Sequence, residues 1–234
     1  VLDTDTIEDL IKELASSVVS APARQVLNEL EELSLEHLTK RIDTDTARRL
    51  LRDEAGFPFR DYALNPTVST RVEEAAAQFL NQMAGVLPDI QIERPVLVSE
   101  VMDWYADEGH SHLFLTGSAG AGKSQLLSDI VRELGSLGIP TLPIRLDNYL
   151  DCKSMSELGA SIFNESCEPV AVLHSLARHG PKPVLVIDQL DAVSEISGRL
   201  GALKQLALRL TNLRSGDAPF KIIISCRSYD LEND

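Results

Sequence analysis

The sequence predicts an α/β protein, a parallel β-sheet with helices on both faces, preceded by an all-helical N-terminal region. Three observations carry this. From Ser111 onward, short apolar runs alternate with segments of helical periodicity, the pattern of strands joined by crossover helices. At one junction, Gly117-Ser118-Ala119-Gly120-Ala121-Gly122-Lys123-Ser124 has the Gly-x4-Gly-Lys-Ser spacing of a phosphate-holding loop. Residues 1–55, in contrast, show only helical stripes.

Taken in order, those stripes are Ile7, Leu10, Ile11 and Leu14; Val26, Leu27, Leu30 and Leu33; and Ala47, Leu50 and Leu51. Asp-Thr-Asp-Thr stands at 3–6 and again at 43–46, each time ahead of a helical pattern. Two helix caps explain this better than a repeat, which would need three or more units. Gly56 to Thr67 holds two prolines and aromatics and reads as a linker or packed loop. A helix follows with Val72, Ala75, Ala76, Phe79, Leu80 and Met83 inward, and Arg94-Pro95 opens another presenting Leu97, Val101, Trp104 and Tyr105. Helical spacing makes that aromatic pair core rather than a ligand platform. Strands are expected at 112–116, 142–146, 184–187 and 222–225, with helices near 124–137, 154–164, 170–178 and 199–213. The resulting division is 1–66, helical region and linker; 67–110, helices leading into the core; and 111–234, the nucleotide-binding core.

The loop's chemistry follows from its residue types. Gly117, Gly120 and Gly122 allow positive φ and close approach, so that backbone amides from Ser118 to Gln125 converge on phosphate. Lys123 brings a positive charge to the β- and γ-phosphates, and the Ser124 hydroxyl suits Mg²⁺. A helix start after the loop adds its partial positive charge. Further on, four apolar residues end in Asp188, and Asp191 follows three positions later. A carboxylate at the end of a buried strand beside such a loop suits holding Mg²⁺. Asp191 would either polarise an attacking water or cap the next helix. The run Lys221 to Ser228 ends a strand in Ser225, Cys226 and Arg227. If that strand lies between the loop strand and the Asp188 strand, Arg227 emerges where a γ-phosphate would be.

Composition narrows the classes. Formal net charge is −14, spread as 14 acids to 8 bases over 1–66 and 22 to 14 over the rest, so no basic face points to nucleic acid. Three cysteines without CxxC spacing read as reduced thiols of a cytoplasmic protein. No apolar run approaches the ~18 residues of a membrane span. The histidines lack clustered partners at ligand spacing, so no metal site of their own is expected. The chain opens on Val1 rather than methionine, which suggests an excerpt of something longer.

These motifs resemble the STAND NTPases, the signal-transduction branch of the AAA+-related P-loop ATPases that includes the NACHT proteins. "GSAGAGKSQ" matches Walker A, "VLVIDQLDA" the Asp-x-x-Asp form of Walker B, and "IIISCR" the strand-Ser/Thr-x-Arg sensor. The "IERPVLVSEVMDWY" helix is similar to the segment flanking adenine there, which implies a nucleotide contact for Arg94. The likeness covers about residues 90–230. It implies ATP/ADP and Mg²⁺ as cofactors, Lys123, Asp188, Asp191 and Arg227 as catalytic or sensing residues, and a bacterial regulatory or defence role. Gln189 stands where many AAA+ ATPases carry a catalytic glutamate, which implies inefficient hydrolysis. The chain also stops before the helical lid and winged helix of that family.

The expected function is therefore an ATP-dependent switch with slow hydrolysis that controls self-association and signalling of a larger protein. A AAA+-like motor or loader is the alternative, and a P-loop small-molecule kinase comes third. The kinase would set the Asp188 strand directly beside the loop strand.

Overall fold

Proline, asparagine, serine and glycine punctuate the chain where the computed structural model starts and stops its helices. The structure describes residues 25–26, 28–29, 31–32, 50–57, 59–84, 94–152, 154–165, 167–190 and 219–227. Two units divide the chain, Val1–Asp61 and Tyr62–Asp234. In the first, Val26, Leu50, Leu51 and Phe57 are buried together with Ala55 and Phe59 against them. Val26 and the Leu50–Leu51 pair belong to two of the stripes named above. The Ile7 stripe and both Asp-Thr-Asp-Thr segments lie outside the described residues.

The second unit opens on a 3₁₀ turn, Tyr62–Leu64, and α1, Pro66–Ala84. Pro66 loses no helical bond at the first position, and the Asn65 side chain accepts from the Thr67 amide at 3.0 Å. Pro95 likewise opens α2, Pro95–Ala106. Strand β1, His112–Gly117, leads through the glycine loop into α3, Lys123–Ser136. Helix α3 ends in a Schellman motif. The Ile139 amide donates to Leu134 O and the Gly138 amide to Gly135 O, both at 3.0 Å, with Gly138 at φ +68°. Next come β2, Thr141–Arg145, a 3₁₀ turn at Leu146–Tyr149, and α4, Met155–Phe163. Ser154 caps α4 by accepting from the Glu157 amide at 3.1 Å, the Ser-x-x-Glu arrangement. Helix α5, Pro169–Leu176, and strands β3, Val184–Asp188, and β4, Lys221–Arg227, complete the described elements. The helix expected at 199–213 lies outside them.

The four strands are all parallel, in the order β1-β4-β3-β2. This is an α/β P-loop NTPase fold. Side chains alternate between two cores, as a pleated strand requires. Leu142, Ile144, Leu185, Ile187, Ile222 and Ile224 meet α4 and α5 on one face. Val184, Val186 and Ile223 meet α3 on the other. The opposite placement has a topological cause. The β1-to-β2 connection and the β2-to-β3 connection run in opposite directions along the sheet, so one crossover hand puts their helices on opposite faces. Pro143 sits mid-strand in β2, which is tolerated because β2 is an edge among the described strands. Helix α1 packs along β2, with Val68 and Val72 in one core and Phe79 and Met83 in the other. In α2, Val101 is buried, but Leu97 is 41% exposed. The expected inward Leu97 is thus corrected: Val98, Val101 and Met102 make that contact, because the stripe is rotated by one residue. Among the described residues, no helix is long and apolar enough to cross a membrane.

Gly159 tests this packing. A Cβ there would collide with the Cys167 carbonyl oxygen, a backbone atom that yields only if the α4–α5 loop moves. We expect Gly159→Ala to cost about 1–3 kcal/mol, lowering the thermal midpoint by roughly 2–4 °C per kcal/mol. A midpoint within about 1 °C of wild type by circular dichroism would show that the contact is loose.

Candidate nucleotide site

Where β1 ends, the chain turns through Ser118 to Gly122 and immediately becomes helix. Gly120 and Gly122 take left-handed backbone, φ +76° and +80°, conformations that strain any residue with a Cβ. Gly117 does not, which corrects the expectation of positive φ at all three glycines. It is the last residue of an extended strand, and a Cβ there would make only ordinary contacts, with Ala121 Cβ at 3.4 Å and the Lys123 stem at 3.9 and 4.0 Å. Ser118, Ala119, Gly120 and Ala121 are exposed. The first helical bond of α3 runs from the Leu126 amide to Gly122 O at 3.0 Å. The amides of Lys123, Ser124 and Gln125 come before it and are the open donors of the helix start. No side chain caps this end, so a phosphate would meet amides and helix dipole together.

The loop is held from two directions. The Lys123 ammonium donates to Gly117 O at 2.8 Å and Ser118 O at 3.0 Å, spanning its own loop. Arg94, just before α2, donates from Nη1 to Gly122 O at 2.7 Å and from Nη2 to Ala121 O at 3.0 Å. Its guanidinium fills the space where a Gly122 Cβ would be. These bonds engage the loop's carbonyls, so Arg94 as placed braces the loop backbone. Gln125 lies along α3, its Nε2 3.4 Å from Asp129 Oδ1.

Two strands away stands Asp188, 1% exposed. Its Oδ1 accepts from the Ser225 hydroxyl at 2.5 Å and the Gln189 amide at 3.0 Å. Its Oδ2 is buried with no hydrogen-bond partner. A buried carboxylate oxygen left so is costly, and a cation or its water is the natural partner. Register carries this across the sheet: Leu115 pairs with Ser225, and Gly117 with Arg227, so Asp188 lies about 10 Å from the loop strand, two strand spacings away. With the Ser124 hydroxyl, Asp188 Oδ2 offers the hard oxygen donors that Mg²⁺ takes when phosphate and water complete its shell. The residues fit that ion, which when bound would neutralise phosphate charge. Arg227, exposed, closes β4. Asp191 lies outside the described residues.

Three further groups were not singled out from sequence. Ser225 was read only as part of a sensor motif; its bond to Asp188 needs the β3–β4 pairing. Arg145 Nε, at the end of β2, donates to both carboxylate oxygens of Asp147 at 3.0 and 3.2 Å. Lys221, 2% exposed at the start of β4, donates to Trp104 O at 3.0 Å, His110 O at 2.8 Å and Asp107 O. Its ammonium lies 4.8 Å from the Trp104 ring centre, and burial holds its pKa below the usual lysine value. Trp104 and Tyr105 pack against the core, as their spacing predicts.

No family model matches the chain. It is 26% identical over 228 residues to the ATP-dependent DNA helicase RRM3 of Saccharomyces cerevisiae, an alignment covering 91% of this chain and 30% of that protein. The chain thus spans less than a third of the helicase's length. This distant likeness and the parallel sheet are consistent with a P-loop NTPase fold. The strand order adds a distinction: β4 separates β1 from β3, whereas the small-molecule kinase reading needs those two strands adjacent.

The Arg94 clasp makes a direct prediction. Arg94→Ala should speed amide hydrogen exchange across 117–124 by roughly five- to tenfold, the equivalent of about 1 kcal/mol for a partly exposed charged donor. Exchange in β2 and β3 should stay as it was. Unchanged exchange in 117–124 would mean that the loop holds its shape without the arginine.

Proposed function

We propose that this domain binds ATP and ADP with Mg²⁺ at Gly117–Ser124, hydrolyses ATP slowly, and serves as a switch controlling self-association of a larger protein of the STAND type. The observation that carries the nucleotide part is the orphaned, buried Asp188 Oδ2 at the strand ends beside an open helix start. The switch part rests on Arg227, which is in register with Gly117, the first residue of the loop. A switch must bind its two nucleotides with different strength in its two states. The loop's amides grip mainly the β-phosphate, which ATP and ADP share, so discrimination needs a group for the γ-phosphate, and Arg227 supplies one. In hydrolysis, water bonds to the γ-phosphorus as the bond to the ADP oxygen breaks. Gln189 follows Asp188, and a carboxamide can orient that water but not take its proton, which favours slow turnover.

A second reading, a nucleic-acid motor, is favoured by the likeness to a DNA helicase. A net charge of −14 weighs against it, because phosphate backbones are bound by clustered basic residues. Stimulation of ATPase activity by single-stranded DNA would favour the motor over the switch.

Saturation with ADP and Mg²⁺ at a hundred times Kd should stabilise the domain by ~2.7 kcal/mol, a rise of roughly 5–10 °C. Lys123→Ala should remove most of that rise. Asp188→Asn should weaken binding more with Mg²⁺ than with EDTA. The same ADP shift in wild type and Lys123→Ala would overturn the assignment of the loop.

Arg227→Ala should leave ADP affinity nearly intact and weaken binding of a non-hydrolysable ATP analogue about ten- to hundredfold, the worth of one charge-assisted bond. Paired calorimetric titrations measure this. A ratio of affinities that moves less than about twofold, under ~0.5 kcal/mol, would remove Arg227 as the sensor.

A further inference from the structure

Gln189 stands immediately after Asp188 in left-handed backbone, φ +61°, a region that residues with a Cβ seldom occupy. Its carboxamide lies between Arg145 and Asp147. With the amide oriented to satisfy both neighbours, its oxygen accepts from Arg145 Nη2 at 2.6 Å and its nitrogen donates to Asp147 Oδ2 at 3.1 Å. Arg145 Nε in turn binds the Asp147 carboxylate at 3.0 and 3.2 Å, so three side chains close a ring. Arg145 is the register partner of Asp188 on β2, and β2 lies on the far side of β3 from β4 and the loop strand. The ring therefore draws the carboxamide toward the outer edge of the sheet, away from the loop, with both ends of the amide engaged.

We propose that Arg145 and Asp147 are positioning residues that form a latch on Gln189, withholding its carboxamide from the γ-phosphate side of the site and thereby keeping turnover of bound ATP low. This rests on the nucleotide reading above. A latched amide spends its oxygen on a guanidinium and an N–H on a carboxylate. It can orient a water only after those bonds open. The left-handed backbone contributes too, since it points the Gln189 N–H at Asp188 Oδ1 while the side chain turns to β2. Both latch residues are partly exposed, 23% and 32% at the side chain. Truncating either leaves its partner in contact with water, not stranded in the core.

The test is steady-state phosphate release at saturating Mg·ATP, with ADP affinity measured in parallel, for Arg145→Ala and Asp147→Ala in wild-type and Gln189→Gly backgrounds. Glycine keeps the left-handed backbone and removes the carboxamide. Each latch variant should raise kcat about tenfold, the worth of one hydrogen bond to a charged group, with ADP affinity within about twofold. In the Gln189→Gly background the rise should vanish, because the effect runs through that side chain. Unchanged or reduced kcat with ADP affinity intact, or a rise that survives without Gln189, would overturn the latch. A wild-type protein that binds no nucleotide would overturn the underlying reading first, and the binding measurement tells the two failures apart. Asp147→Ala stands on its own should Arg145→Ala fail to fold.

Discussion

Parallel pairing of β4 between β1 and β3 governs the rest of this domain, because parallel strands must all end on the same side of their sheet. The Gly117–Ser124 loop, Arg227, Ser225, Asp188 and Arg145 come from four strands and four separate stretches of sequence. They share one edge only because Gly117 pairs with Arg227, Leu115 with Ser225 and Arg145 with Asp188. The pairing is held by burial on both faces. Each of β3 and β4 places alternate apolar residues into two different cores, and a one-residue slip would exchange them all.

Two buried ionisable groups on β3 and β4 show how differently such a fold treats charge. Lys221 is surrounded by three carbonyl acceptors and an aromatic face, so its ammonium is satisfied within the chain. It ties the end of α2 to the sheet and acts as a fastening. Asp188 is satisfied at one oxygen only. The protein has solvated the first charge internally and left the second incomplete, and an incomplete buried anion is what a cation site requires.

Helix α2 joins these features. At one end Arg94 grips the loop carbonyls of Ala121 and Gly122; at the other Lys221 gathers Trp104 O, Asp107 O and His110 O. The helix is thus pinned to the loop that follows β1 and to the first residue of the strand that ends in Arg227. Loop and β4 are thereby joined by a short covalent and hydrogen-bonded route through α2.

By itself the sequence determined whatever depends on local spacing and residue type. Alternating periodicities predicted the four strands, with ends within two residues of those observed, and the glycine-lysine-serine spacing placed a loop between a strand and a helix. Arg94-Pro95 marked the start of α2, because a proline acts within one turn of itself. Tertiary structure alone decided what depends on partners far apart in the chain. The place of β4 in the sheet could only be posed as a condition. Leu97 was read as inward because periodicity gives a stripe but not its rotation against the sheet. Ser225 on Asp188, Arg145 and Asp147 on Gln189, and Lys221 under α2 join residues 37, 44, 42 and over 100 positions apart. No periodic signal reaches that far; only the sheet brings them within a hydrogen bond.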